Sequence, residues 1–582
     1  MSAPAVRSTT VSVLRDRVRR LRPVPPAAPA WQLPPEPVVV RPDLRVAVAG
    51  SGRLRRGLAD QWHQIPADPA SVRGADLLLV EVADGRVPGV GAAGDPLVRE
   101  LLEAATAADV PVAVWVTSGR PPSGLDATAA WSRVLAAATV LHVADLADAW
   151  RALVPDARLL PPAAAARRGP RVERPAGEDA AALLVVSGAS DELAAGPVAA
   201  VLAPGLAPVA DRVDVLLLAD DLPVRGVLPA ALGAVARRGH DGDLAAAVAQ
   251  AAVVVDGPRR SPRDTWAVLE AAAAGTPVVS LDGLPLPDGL EASRPATPAA
   301  VRAEVVARLH HPELADREAL RQRRAVLDGH TFADRARTLL ASLGHEEPAP
   351  PPPTVSAIVP TNREHEVDQV LANVGRQAHR STELVLVLHG LDLPEAELQA
   401  RARAHDVPQL EVVRAPGHLT LGACLNLGVD AAGGDLVAKM DDDNHYGTHY
   451  LSDLVAALDA QGAGIAGKWA HYVWLRSSGA VVLRYPDAEH TWARRIQGGS
   501  MLFAGDVVRE LRFGDLPRAV DSDILDRAIA AGVPIWSADR FNFVSVRGED
   551  RTAHTWTVED ATFLTAAGRL AFYGDPRSQV EV

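Results

Sequence analysis

The sequence predicts an α/β protein: a two-lobed, Rossmann-like N-terminal region followed by a third α/β unit. Three observations predict it. Short, wholly apolar runs alternate with stretches of helical periodicity through the N-terminal half. A segment of Glu and Pro, Glu346–Pro353 (EEPAPPPP), then interrupts the pattern as a linker. Beyond it the pattern resumes, and one apolar strand runs directly into three consecutive aspartates, Asp441-Asp442-Asp443.

Residues 1–40 form a Pro- and Arg-rich arm. Thr10 can cap a short helix with Val11, Leu14, Val18 and Leu21 on one face and Arg15, Arg19 and Arg22 on the other. Such a helix suits either a peripheral membrane contact through residues 10–22 or a solvated arm. In residues 41–170, the first lobe, Leu44–Gly50, Leu77–Val82, Val112–Thr117 and Val140–Ala144 read as buried parallel strands, with a helix at Leu97–Ala107. The second lobe, 171–345, has Leu183–Ser187, Val213–Leu218, Ala252–Asp256 and Pro277–Leu281. In the unit 354–582, Val355–Val359, Glu383–Leu388 and Leu436–Met440 are strands.

At 582 residues the chain exceeds what one core can fill. The net charge of −13 argues against a nucleic-acid partner, which would want a basic stripe. Cys424 is the lone cysteine, which excludes an intrachain disulfide and a Cys-based zinc site. There is neither a long apolar span nor an N-terminal apolar signal, so the expected location is cytoplasmic. The only lysines are Lys439 and Lys468; the Arg bias reads as coding bias. All five tyrosines and six of the seven phenylalanines follow Thr354, which puts a sugar-handling surface, or simply a bulkier core, in this half.

Three carboxylates at a strand end repel one another, and a hard divalent cation relieves the repulsion. Mg²⁺ or Mn²⁺ held by carboxylates and nucleotide phosphates is the expected cofactor. If strand geometry persists, Asp441 and Asp443 point one way and Asp442 the other. A solvated acidic turn is the competing account, but strand ends of α/β sheets are where ligands bind.

Thr354–Arg363 (TVSAIVPTNR), Leu421–Asp430 (LGACLNLGVD) and Ala438–Asn444 (AKMDDDN) resemble the family-two glycosyltransferases of the GT-A fold. The resemblance implies a nucleotide-sugar donor bound by Pro360, Thr361, Arg363, Asn426 and Asp441. It implies a metal on Asp441 and Asp443, joined by the later His554. Val520-Asp521-Ser522-Asp523 resembles the element that supplies the general base, so Asp521 and Asp523 are the catalytic candidates. Asp521 is expected to precede a helix at Ile524–Ala531, and Gln497–Ser500 to shape the acceptor side. Where the second strand of the family ends in an acidic residue this chain has Leu388-His389-Gly390, which leaves the nucleotide base open.

Ser261–Ser280 and His330–Leu340 resemble the donor lobe of GT-B-like, spore-maturation-type glycosyltransferases, and Glu270 matches the glutamate that binds the donor ribose there. Its usual partner position holds Pro262. The expected activity is metal-dependent, inverting transfer of a sugar to a glycan, lipid-linked glycan or surface polysaccharide. The N-terminal half is either a second active transferase or a non-catalytic scaffold. A nucleotidyltransferase would want a Gly-rich, basic triphosphate loop, and Thr361-Asn362-Arg363-Glu364 is not one.

Overall fold

The computed structural model describes residues 36–582 except 37, 93–94, 120, 122–128, 146, 168–178, 189–197, 219–227, 240, 262, 549–559 and 565–566. The amphipathic segment 10–22 and His554 therefore lie outside the described residues.

The first sheet contains β1 (Arg45–Ala49), β2 (His63–Ile65), β3 (Leu77–Ala83), β4 (Val112–Ser118), β5 (Val140–Val143) and β6 (Arg158–Leu159). They run parallel in the order β2-β1-β3-β4-β5-β6. Both faces are covered, which is why these strands are continuous apolar runs. Helix α1 (Pro96–Ala107) is capped by Asp95. A second parallel sheet has β7 (Ala182–Val186), β8 (Val213–Leu217), β9 (Ala236–Arg238), β10 (Val253–Asp256) and β11 (Val278–Ser280), in the order β9-β8-β7-β10-β11. Helices α2 (Trp266–Ala274), α3 (Pro298–His310), α4 (Pro312–Leu327) and α5 (Phe332–Ser342) accompany it. A capping box of Thr331 and Asp334 starts α5. That helix crosses back: Phe332, Leu339 and Leu340 pack in one cluster with Val46, Leu79 and Trp115 of the first lobe.

The third region holds β12 (Val355–Thr361), β13 (Thr382–His389), β14 (Leu410–Ala415), β15 (Leu436–Lys439), β16 (His445–Tyr446), β17 (Ile465–Gly467), β18 (His471–Leu475), β19 (Ala480–Arg484), β20 (Thr491–Trp492), β21 (Met501–Ala504), β22 (Ile535–Ser537), β23 (Phe543–Arg547) and β24 (Gly568–Tyr573). The main sheet runs β14-β13-β12-β15-β21-β17-β22-β20 and a smaller one β16-β23-β18-β19-β24. Its helices include α6 (Val367–Gly375), α7 (Leu421–Ala431), α8 (Tyr450–Gln461) and α9 (Val520–Ala530). Strands β12, β13 and β15 are parallel, so their C-terminal ends open on one side, and antiparallel β21 begins beside them.

Two sequence expectations change. Strand β15 stops at Lys439 and a turn carries Asp441–Asn444, so the two-residue alternation does not extend through the aspartates. Helix α9 begins at Val520, behind Ala519 in the left-handed region, so Asp521 and Asp523 sit in its first turn rather than before it. Neither caps the helix.

Candidate active site

Register builds the site. Lys439 ends β15 opposite Ile358 of β12 and Met501 of β21. Strand β12 continues past Ile358 to Pro360 and Thr361, level with the aspartate turn. The Thr361 hydroxyl donates to Asp442 Oδ2 at 2.6 Å. Arg363 forks across the turn, bonding both oxygens of Asp442 and, at 3.0 Å, Asp443 Oδ2. Asp442 and Asp443 thus share one guanidinium while Asp441 turns elsewhere, the reverse of the strand-based expectation, because the turn has replaced the pleat. Pro360 is half-buried beside Thr361.

Asp441 meets a cation that the sequence reading missed. Lys439 Nζ donates to Asp441 Oδ1 at 2.8 Å and to the Gly498 carbonyl at 2.9 Å, and lies 3.3 Å from Asp521 Oδ1. That last contact is off hydrogen-bond alignment, and Asp521 Oδ1 is a buried oxygen with no hydrogen-bond partner. Asn444 Nδ2 reaches Asp441 Oδ2 at 3.2 Å. The Asp441 backbone N–H donates to the Tyr446 hydroxyl at 2.7 Å, and that hydroxyl donates to the Gly499 carbonyl at 2.6 Å. A Cβ on Gly498 would collide with the Asp521 carboxylate, and one on Gly499 with Asp441 and Asn444. The two glycines therefore let the backbone pass between the carboxylates. Asp441 and Asp521 keep 34% and 37% of their side chains exposed, so both face the crevice.

Electrostatics favours a further cation. Burial raises the Lys439 side chain's cost of charge, yet Asp441 and Asp521 hold it protonated above its ordinary range. Desolvation pushes the Asp441 carboxyl up; Lys439 opposes this, while Asp521 and Asp443 add to it. Four carboxylates (Asp441, Asp442, Asp443 and Asp521) face two cations, Lys439 and Arg363, leaving a deficit of two positive charges. Oxygen donors with that deficit fit Mg²⁺ or Mn²⁺. Among the described residues no three His, Cys, Asp or Glu side chains could hold a metal as a group, so a cation here would draw ligands from outside them, as Mg²⁺ does from phosphates.

The other candidates are placed as follows. Asp523 pairs with Arg527 (Nη2 to Oδ2, 2.7 Å) one helical turn along, outside the Lys439 cluster. Asn426 spends its amide on Phe513, donating to the carbonyl at 2.8 Å and accepting from the N–H at 2.9 Å, and so braces a loop rather than facing the aspartate turn. Glu270 lies in the N-terminal half, 2.5 Å from Arg53 of the first lobe, whose guanidinium sits 4.8 Å over the Trp266 ring. Arg260 also crosses between lobes, to Asp84 at 2.5 Å, while bonding the Ser187 and Leu218 carbonyls of its own lobe. His389 closes β13 with Nε2 buried and unpartnered. A signal for Lys439 was present in the sequence: with arginine used nearly everywhere, one of the two remaining lysines falls inside the AKMDDDN motif. Both are buried on carboxylates, Lys468 at 2.9 Å from Asp539.

The aspartate turn thus stands at the open end of the main sheet with a carboxylate facing it across two glycines, and two family matches give the chain glycosyltransferase domains, of GT-A type after a GT-B-like region. Residues 356–499 match the model for glycosyl transferase family 2, and residues 233–341 that for a glycosyl transferase-like family. Solved structures similar to parts of the chain include the mannosyltransferase PcManGT from Pyrobaculum calidifontis in complex with GDP-Man and Mn²⁺. It is 19% identical, with 36% of this chain and 62% of that one covered and a TM-score of 0.29. S. aureus TarS 1–349 in complex with UDP-GlcNAc is 16% identical, with 34% and 59% covered and a TM-score of 0.29. The chain spans about three fifths of the length of each. No curated protein matches it. No helix among the described residues is long and apolar enough to cross a membrane.

Proposed function

We propose that residues 354–582 transfer a sugar, with inversion, from a nucleotide-sugar donor to a hydroxyl of a glycan, lipid-linked glycan or surface polysaccharide, in the cytoplasm, and that residues 41–345 serve as a non-catalytic module. The observation that carries the reading is the meeting of Asp441 and Asp521 on Lys439 at the open end of the sheet. Asp521, held by Lys439 through its buried Oδ1, takes the proton of the acceptor hydroxyl on its other oxygen as the hydroxyl oxygen attacks the anomeric carbon. The bond from that carbon to the diphosphate breaks, and the nucleoside diphosphate leaves on the opposite face. Asp441 and Asp443 would hold Mg²⁺ or Mn²⁺. When bound, the ion supplies positive charge to the leaving diphosphate. Thr361 and Arg363 fix the turn that presents these carboxylates. The lobe-spanning pair of Arg53 and Glu270 supports the non-catalytic reading of the N-terminal half.

The test is a panel of nucleotide sugars with Mn²⁺, Mg²⁺ or excess EDTA. Metal-dependent turnover of one donor, lost in Asp443→Ala, is expected. Full turnover in EDTA would overturn the metal assignment, and no turnover of any donor would overturn the activity.

A further inference from the structure

We infer that Lys439 is a positioning residue that ties Asp521 to the donor-side carboxylate Asp441, and that it competes with the divalent cation for Asp441. The inference rests on the activity proposed above and adds a residue to it.

The geometry has three parts. Strand β15 lies between β12 and β21, so the Lys439 backbone cannot shift without breaking register on both sides. Its side chain is only 4% exposed, so the ammonium has no alternative seat in water. Its contacts are Asp441 Oδ1, the Gly498 carbonyl and Asp521 Oδ1, one from each element that converges on the crevice. A compact ammonium turns its three donors to acceptors crowded round one point, whereas a guanidinium is wider and fans its donors in one plane. Other buried pairs use arginine, as at Arg259–Asp256 and Arg540–Glu489, with Lys468–Asp539 the other lysine pair among the described residues.

The consequence has two opposed signs. Removing the ammonium deepens the charge deficit of the cluster and frees Asp441 Oδ1, so a divalent cation should bind more tightly. The same change releases Asp521, so transfer should fall. A residue that only fills the core would not separate the two.

The test uses the full chain with Lys439→Met, close in length and without charge, and Lys439→Arg, which keeps the charge in another shape. Mn²⁺ binding is measured without nucleotide by electron paramagnetic resonance, beside kcat, donor KM and Tm. We expect Lys439→Met to bind Mn²⁺ at least about threefold tighter. Its kcat should fall at least about tenfold, with donor KM within about threefold. Lys439→Arg should return Mn²⁺ affinity toward wild type while kcat stays low. A Lys439→Met enzyme with wild-type kcat, or one in which Mn²⁺ affinity, kcat and Tm all fall together, overturns the inference; so does a Lys439→Arg enzyme with wild-type kcat. A wild type without metal-dependent transfer overturns the activity reading, and this inference with it; a normal wild type beside an unaltered Lys439→Met overturns the inference alone.

Discussion

Arg324 and Asp453 meet in a bidentate ion pair, Nε to Oδ1 at 2.7 Å and Nη2 to Oδ2 at 2.8 Å, and they come from opposite sides of the Pro-rich segment. Arg324 lies on α4 and Asp453 in the first turn of α8. Close by, Arg540 joins Glu489 to Glu313 and Asp316 of α4. The Asp453 side chain is 4% exposed, and burial pushes its carboxyl up despite Arg324. Taking away the arginine leaves a buried charge with Asn542 as its remaining donor. Arg324→Ala should therefore cost about 3–5 kcal/mol, and adding Asp453→Asn should restore part of it. Denaturant unfolding of the single and double variants checks this; strict additivity would show that the pair is not coupled.

Two buried histidines contribute to the loss of stability in acid. Burial, with Arg158 adding to it, lowers His142 to about 4, and burial likewise lowers His471 to about 4. An unfolded histidine titrates near 6.5. Between pH 6.5 and pH 4 the unfolded chain takes up protons that the folded chain refuses, so stability is full above that window and falls through it. Each residue removes up to roughly 3 kcal/mol. The difference in Tm between pH 7 and pH 5 should shrink in His471→Gln, and an unchanged difference would rule out its contribution.

Glu270 separates the readings of the N-terminal half. Its carboxylate is 14% exposed and paired with Arg53 across the lobes, which supports a structural role over a ribose contact. Glu270→Gln should leave sugar transfer within about twofold of wild type. A folded variant with a tenfold loss of any transfer reaction would make this half a second active transferase.

What the sequence revealed follows from which forces are local. Parallel strands such as β3 and β12 are apolar along their whole length because both faces are buried, so they were legible, as was the strand leading to Asp441. The orientation of the aspartates was not legible. It depends on Arg363 and Lys439 drawing neighbouring carboxylates apart, a contest between residues about 80 positions apart for Arg363 and two for Lys439. The engagement of Asn426 was not legible for a similar reason: nothing near it announces that Phe513, 87 residues later, takes its amide. The grip of α4 on α8 was hidden by the linker, whose composition suggests separation even where the flanking surfaces bind.

Asp521 and Asp523 share one helical turn, and their surroundings set them apart. Asp523 is committed to Arg527, which also holds the carbonyls of Leu511 and Arg512. Asp521 faces Lys439 across the Gly498 backbone, and one oxygen lacks a hydrogen bond. An alternative is that Asp521 acts only on stability, through the charge of an acidic residue at a helix N-terminus. That effect is worth about 0.3–1 kcal/mol and would leave turnover nearly intact in a folded protein. Loss of a general base instead costs roughly 10²–10⁴-fold in rate. Asp521→Asn, which keeps the size and the contact with the helix, should hold Tm within a few degrees and donor affinity near wild type while transfer drops at least about 10²-fold. Asp523→Asn should lower Tm by more than it lowers transfer, because it weakens the Arg527 brace. Steady-state kinetics beside thermal melts of both variants decide it: near-normal transfer by Asp521→Asn, with a large loss in Asp523→Asn, would move the base to Asp523.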